Sequence, residues 1–147
     1  MSLRILVGLD ASSRSKEVLQ AAMGLAKRTG GKLLLLRTVG VPHEIPPEAY
    51  VLPPHQLSEM LVRESKTSLD ELAKSVPAEQ LEKTRVEIGT AWQTVCSIAK
   101  EENVDMIVVG SHGYSGLDRL VGTTAAKIVN HADRSVLVVR MAELLAH

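Results

Sequence analysis

The sequence predicts an α/β domain: a doubly wound, five-stranded parallel sheet of Rossmann-like form, with helices on both faces. Three observations predict it. Short unbroken apolar runs alternate along the chain with segments of helical periodicity, the pattern of strands buried on both faces. A glycine-rich turn follows the fourth apolar run and leads into a helix. At 147 residues the chain suits a single domain, residues 1–147, built on one core.

Leu3 to Leu9 is mostly apolar and reads as the first strand. Asp10-Ala-Ser-Ser is a turn and helix start. Val18, Leu19, Ala22, Leu25 and Ala26 then recur at helical spacing, and Lys27, Arg28 and Gly30-Gly31 close that helix. Lys32 to Val39 is a second buried strand. Leu57 to about Val76 has helical periodicity through Leu61, Leu69 and Leu72. Leu81 to Ile88 alternates as a strand with one wetter face. Thr90 to about Glu102 is a helix, and Thr90 with Gln93 fits a capping box. Val104 to Gly110, Thr123 to His131 and Ser135 to Arg140 follow as strand, helix and strand. Right-handed crossovers wind such an order in two directions, and ligands bind at the carboxyl ends of the strands where the winding reverses. The first and fourth strands are the natural neighbours at that point, which brings Asp10 beside the turn after Gly110.

That turn, from Val108 to Thr124, carries Gly110, Gly113, Gly116 and Gly122 with the hydroxyls of Ser111, Thr123 and Thr124. Glycines admit an anion close to main-chain N–H groups, and a helix start adds free N–H donors and a positive dipole end. The physical reading is a phosphate cradle; the plainer alternative is a tight strand-to-helix turn. His112 lies inside the loop, as a phosphate donor or as a solvated or dimer-contact residue. The stretch Gly40 to His55 carries five of the six prolines and reads as a long loop leaving the carboxyl end of the second strand, either a lid or partner segment over the site or a passive surface loop.

Other classes are disfavoured. The formal net charge is zero, against the basic excess of a nucleic-acid or anionic-membrane binder. Tyr50, Trp92 and Tyr114 are too few for a base-stacking platform. One cysteine leaves no internal disulfide; Cys96 sits at helical spacing with Trp92, Val95 and Ala99 and reads as core. The histidines show no zinc spacing. Arg119 beside Asp118 reads as a surface ion pair. The opening apolar run is cut by Asp10, so neither signal peptide nor membrane span is expected, and a cytoplasmic location is the default.

With I-L-V-G-L-D-A-S at its start, V-G-S-H-G-Y-S-G-L-D-R-L in the turn and H-A-D-R-S-V-L-V-V-R at its end, the chain resembles the universal stress protein family over essentially its whole length, in the nucleotide-binding branch. That family's motif is Gly, two residues, Gly, nine residues, then Gly and Ser or Thr. Gly110 and Gly113 keep the first spacing; only eight residues precede Gly122-Thr123, one fewer than the pattern. The resemblance implies an adenine nucleotide, ATP or AMP, with Mg²⁺ held mainly by the phosphates. Gly110, Gly113, Gly122, Thr123 and Thr124 would meet the phosphates. Asp10 would lie near the ribose and the metal-bound phosphates, although it also suits a helix N-cap. Val39 matches the position whose main chain reads adenine in the family.

Three functions follow as expectations. The first is an ATP- or AMP-binding regulatory protein of stress response, a nucleotide-dependent dimeric switch read by an unknown protein partner. The second is a slow adenine-nucleotide hydrolase: the chain has no P-loop, no G-x-G-x-x-G after its first strand and no evident general base or arginine finger, so any ATPase would be slow. The third is a nucleotide-free dimeric scaffold, a branch that replaces the glycines kept here. A homodimer is expected through the apolar edge strand Ser135 to Arg140, with the tail Met141 to His147 adding Leu144 and Leu145 or folding back on its own subunit.

Overall fold

The computed structural model describes residues 2–40, 54–111 and 123–140. Among the described residues nine elements alternate as expected: β1 (Arg4–Gly8), α1 (Ser15–Thr29), β2 (Lys32–Val39), α2 (Pro54–Ala73), β3 (Leu81–Ile88), α3 (Ala91–Glu101), β4 (Met106–Gly110), α4 (Thr124–His131) and β5 (Ser135–Val139). The sheet is parallel throughout, in the order β3-β2-β1-β4-β5. The direction of winding therefore reverses between β1 and β4, where Ile5, Leu6 and Val7 pair with Met106, Ile107 and Val108.

Strand alternation divides the core in two. On one face Ile5, Val7, Leu33 and Leu35 meet Val18, Leu19 and Ala22 of α1 and Leu69 of α2. On the other, Leu6, Leu34, Leu36 and Ile107 meet Val95 and Ile98 of α3 and Ala125 and Ile128 of α4. The reversal of winding is why the last two helices cross to the opposite face. Helix α1 ends at Gly30, left-handed at φ 70°, whose N–H reaches the Ala26 carbonyl. A non-glycine residue would be strained there.

Two local expectations are corrected. Pro54 and His55, placed in the long loop by their prolines, belong to the first turn of α2. Proline suits that turn because its missing N–H would have no intrahelical partner. Thr90 is the N-cap of α3, but its side chain makes no capping bond, so the capping box with Gln93 does not form. Cys96 packs against the α3/α4 cluster as expected, and burial pushes its thiol pKa up.

An ion-pair network ties β1, β3 and the end of α3 together. Arg4 holds Glu82 through Nε at 2.9 Å and donates to the Glu102 carbonyl. Glu102 in turn accepts from Lys83 and Arg85, each at 2.8 Å. Lys83, then Arg85, hold the Glu102 carboxyl below the usual carboxylate range, and Arg4 does the same for Glu82. A carboxylate with a depressed folded pKa stabilises the fold above its unfolded pKa and loses that contribution as pH falls through the folded value. The urea midpoint should therefore hold between neutrality and about pH 5 and fall below about pH 4. In Glu102→Gln the acid-side fall should be smaller; an identical fall would show that these pairs do not govern acid stability.

Candidate functional site

A cleft of about 120 Å³ opens at the carboxyl ends of the central strands, at the winding reversal. Gly8, Leu9 and Asp10 line it from β1 and the turn after it, Leu36 and Thr38 from β2, and Val109 and Gly110 from β4. Ala91 and Val95 of α3, with Thr124, Ala125 and Ile128 of α4, complete it. The cleft forms because β1 stops at Gly8 while β2 runs on to Val39. After Leu9 N–H bonds the Leu36 carbonyl at 2.9 Å, the β2 edge facing β1 has no further strand partner among the described residues. Aliphatic side chains make the floor; Asp10, Thr38 and Thr124 supply polar groups above it. An apolar pocket with a few convergent polar groups is the usual form of a small-molecule site.

The start of α4 faces this cleft. Its N-cap is Thr123, whose hydroxyl oxygen accepts the Ala126 N–H at 3.1 Å. That bond fixes the helix start, and first-turn N–H groups without intrahelical partners then point outward with the positive end of the dipole. Thr124 and Ala125 line the cleft from this turn. Asp10 lies opposite, on the other side of the β1/β4 reversal. Its carboxylate accepts both the N–H and the hydroxyl of Ser12, at 2.9 and 2.7 Å. The alternative reading of Asp10 as the cap of α1 is thereby corrected: that position belongs to Arg14, and the Asp10 carboxylate is turned to Ser12.

Of the expected site residues, Asp10, Gly110 and Thr124 come together around the cleft, with Thr123 capping the helix beside it. Val39 is not among the lining residues; its carbonyl accepts the Gly89 N–H at 3.0 Å, on the β3 side. Strand alternation turns Thr38, not Val39, toward the cleft, on the same face as Leu36. His112, Gly113 and Gly122 lie outside the described residues, as do residues 41–53, Asp118, Arg119 and the tail 141–147. Asp10 is the one carboxylate among the lining residues, and no group of three or more His, Cys, Asp or Glu converges elsewhere among the described residues. Asp10 offers a carboxylate oxygen, the hard donor that a divalent cation takes.

The strand pattern hides one further feature. Arg37, in the apolar run of β2, is only 4% exposed. Its guanidinium donates to the Leu9 carbonyl (Nε, 3.2 Å), the Asp10 carbonyl (Nη2, 2.9 Å) and Ser68 Oγ of α2 (Nη1, 2.8 Å). Burial lowers its pKa, and the nearby Asp10 charge partly offsets this. A lone arginine in an otherwise apolar strand was the available signal.

Fold and cleft together define a doubly wound α/β protein with a cleft at the strand-order reversal. The profile of the universal stress protein family matches residues 1–140, and the chain belongs to that family. Universal stress protein A homolog 1 of Coxiella burnetii is 33% identical over 144 residues, covering 95% of this chain and 96% of that protein. Among solved structures, the universal stress protein UspA from Lactobacillus plantarum superposes with a TM-score of 0.74 at 27% identity, over 94% of this chain and 97% of that one. A universal stress protein in complex with cAMP matches the fold with a TM-score of 0.65 at 22% identity, over 96% and 98% of the two chains. Among the described residues no helix is long and apolar enough to cross a membrane.

Proposed function

We propose that this protein binds an adenine nucleotide, ATP or AMP, in the switch-point cleft and acts as a nucleotide-dependent dimeric switch in stress response. The observation that carries the reading is the cleft itself, where the capped start of α4 and Gly110 face Asp10 across the β1/β4 reversal. The phosphates lie against the α4 first turn, Thr123 and Thr124, with Gly113 and Gly122 completing the cradle. Asp10 takes the ribose or the Mg²⁺–phosphate edge. The base rests on the apolar floor beside the Thr38–Val39 end of β2. The cAMP complex of a family member supports an adenine nucleotide as the class of ligand.

The dimer forms through β5. The two sheet edges differ in character: β3 presents Glu82, Lys83, Arg85 and Glu87, whereas β5 reads S-V-L-V-V. Charged edges resist strand addition and apolar ones invite it. Leu137 on β5 and Val129 on α4 are 39% and 48% exposed, apolar surface for an isologous contact.

The test is a thermal melt with and without Mg²⁺–ATP. Ligand at a hundredfold excess over Kd stabilises the folded state by about 2.7 kcal/mol. For a chain of this size the expected rise in Tm is roughly 5–10 °C. An unchanged midpoint with ATP, AMP and cAMP alike would favour the nucleotide-free scaffold. ATP turnover should stay below about one per second, because cleft donors that grip ground-state phosphates do not by themselves lower the barrier. Faster turnover, abolished by Asp10→Ala or Thr124→Ala, would make the protein an enzyme.

A further inference from the structure

We propose that Arg37 is a positioning residue for the nucleotide cleft, a strut that fixes the main chain carrying Asp10 and ties it to helix α2. This role rests on the nucleotide reading above. β1 leaves the sheet after Gly8, so the carbonyls of Leu9 and Asp10 pass beyond the strand ladder. The Arg37 fork spans these two successive carbonyls and reaches Ser68 on the other side. The planar guanidinium offers five N–H donors in fixed geometry, which suits adjacent acceptors that a point-charge ammonium cannot serve together.

Stability alone is a poor reason for this arrangement. A buried charge is costly unless it is paired and hydrogen-bonded, and an apolar side chain of similar volume often serves a core as well or better. Arg37 shares its face of β2 with Leu33 and Leu35, where an aliphatic residue would fit the pattern. Its acceptors are two main-chain carbonyls and a hydroxyl. The nearby Asp10, which lines the cleft, accepts from Ser12 through its carboxylate. The guanidinium thus sets the direction in which Asp10 leaves the sheet, and a change at Asp10 on ligand binding reaches Ser68 through one side chain.

The test is a double-mutant cycle on the full chain, read as the Kd for Mg²⁺–ATP by calorimetry. Arg37→Met, which keeps length and apolar bulk, should weaken binding about tenfold. On an Asp10→Asn background the same change should cost far less, because the residue it positions is already disabled. Ser68→Ala, on an exposed position that leaves the core intact, should weaken binding about threefold by freeing one end of the strut. Arg37→Lys should not restore wild-type affinity. Equal loss from Arg37→Met on both backgrounds, or wild-type affinity in Arg37→Lys or Ser68→Ala, would overturn the role. If wild-type protein binds no adenine nucleotide, the functional reading falls and the role with it. If wild-type binds and these variants match it, only the role falls.

Discussion

Gly8→Val should remove nucleotide binding, weakening it by at least about a hundredfold. Gly8 closes β1 at the base of the cleft, where a Cβ would stand 3.1 Å from Val109 Cγ1 and 3.6 Å from Val95 Cγ2. Both valines line the cleft, so the added side chain occupies ligand space as well as crowding its neighbours. The overpacking should cost about 1–3 kcal/mol of stability, little enough for the protein to stay folded. Binding is measured by calorimetry and folding by circular dichroism. A folded Gly8→Val protein that retains wild-type affinity would place the nucleotide elsewhere.

Leu35→Ala should produce the largest loss of stability among single core truncations without touching the cleft. Leu35 is fully buried in the centre of β2, paired with Val7 of β1 and Thr84 of β3, and packs in the cluster formed with α1 and α2. Lost burial plus the residual cavity should cost about 2–5 kcal/mol. The corresponding fall in Tm is roughly 5–15 °C. Because the cleft opens on the opposite face, above Leu36, nucleotide affinity measured well below the new midpoint should stay near wild type. A loss below 1 kcal/mol would show that this half of the core does not carry the fold.

The architecture was legible because it rests on periodicity. The apolar runs of β1, β2 and β4 and the helical spacing of α1 belong to elements with both faces or one whole stripe buried, and such elements write their environment into every residue. Lys32–Val39 coincides with its expected bounds for that reason, while Leu81–Ile88, an edge strand with no fully buried residue, coincides through its alternation alone. The start of α2 was harder to place: Pro54 signals a break in a sequence but is equally at home in a helix's first turn. Thr90 and Gln93 had the spacing of a capping box without its bonds, since spacing permits the geometry but does not impose it.

The site was legible in part. Asp10, Gly110 and Thr124 are brought together by topology, and topology followed from the order of elements. Val39 was named for its main chain; the side chain that the end of β2 turns toward the cleft is that of Thr38, on the same face as the buried Leu36. Arg37 was visible only as an arginine within an apolar run; its partners, two main-chain carbonyls and the Ser68 hydroxyl, are not marked as such in a sequence.

Calorimetric titration of the wild-type protein with Mg²⁺–ATP is the decisive experiment on whether the switch-point cleft holds an adenine nucleotide. One site per chain is expected, with a Kd in the micromolar range, about −8 kcal/mol, competed by AMP and weakened in Thr124→Ala. No heat of binding for ATP or AMP, together with a melting midpoint unmoved by either, would contradict nucleotide binding there.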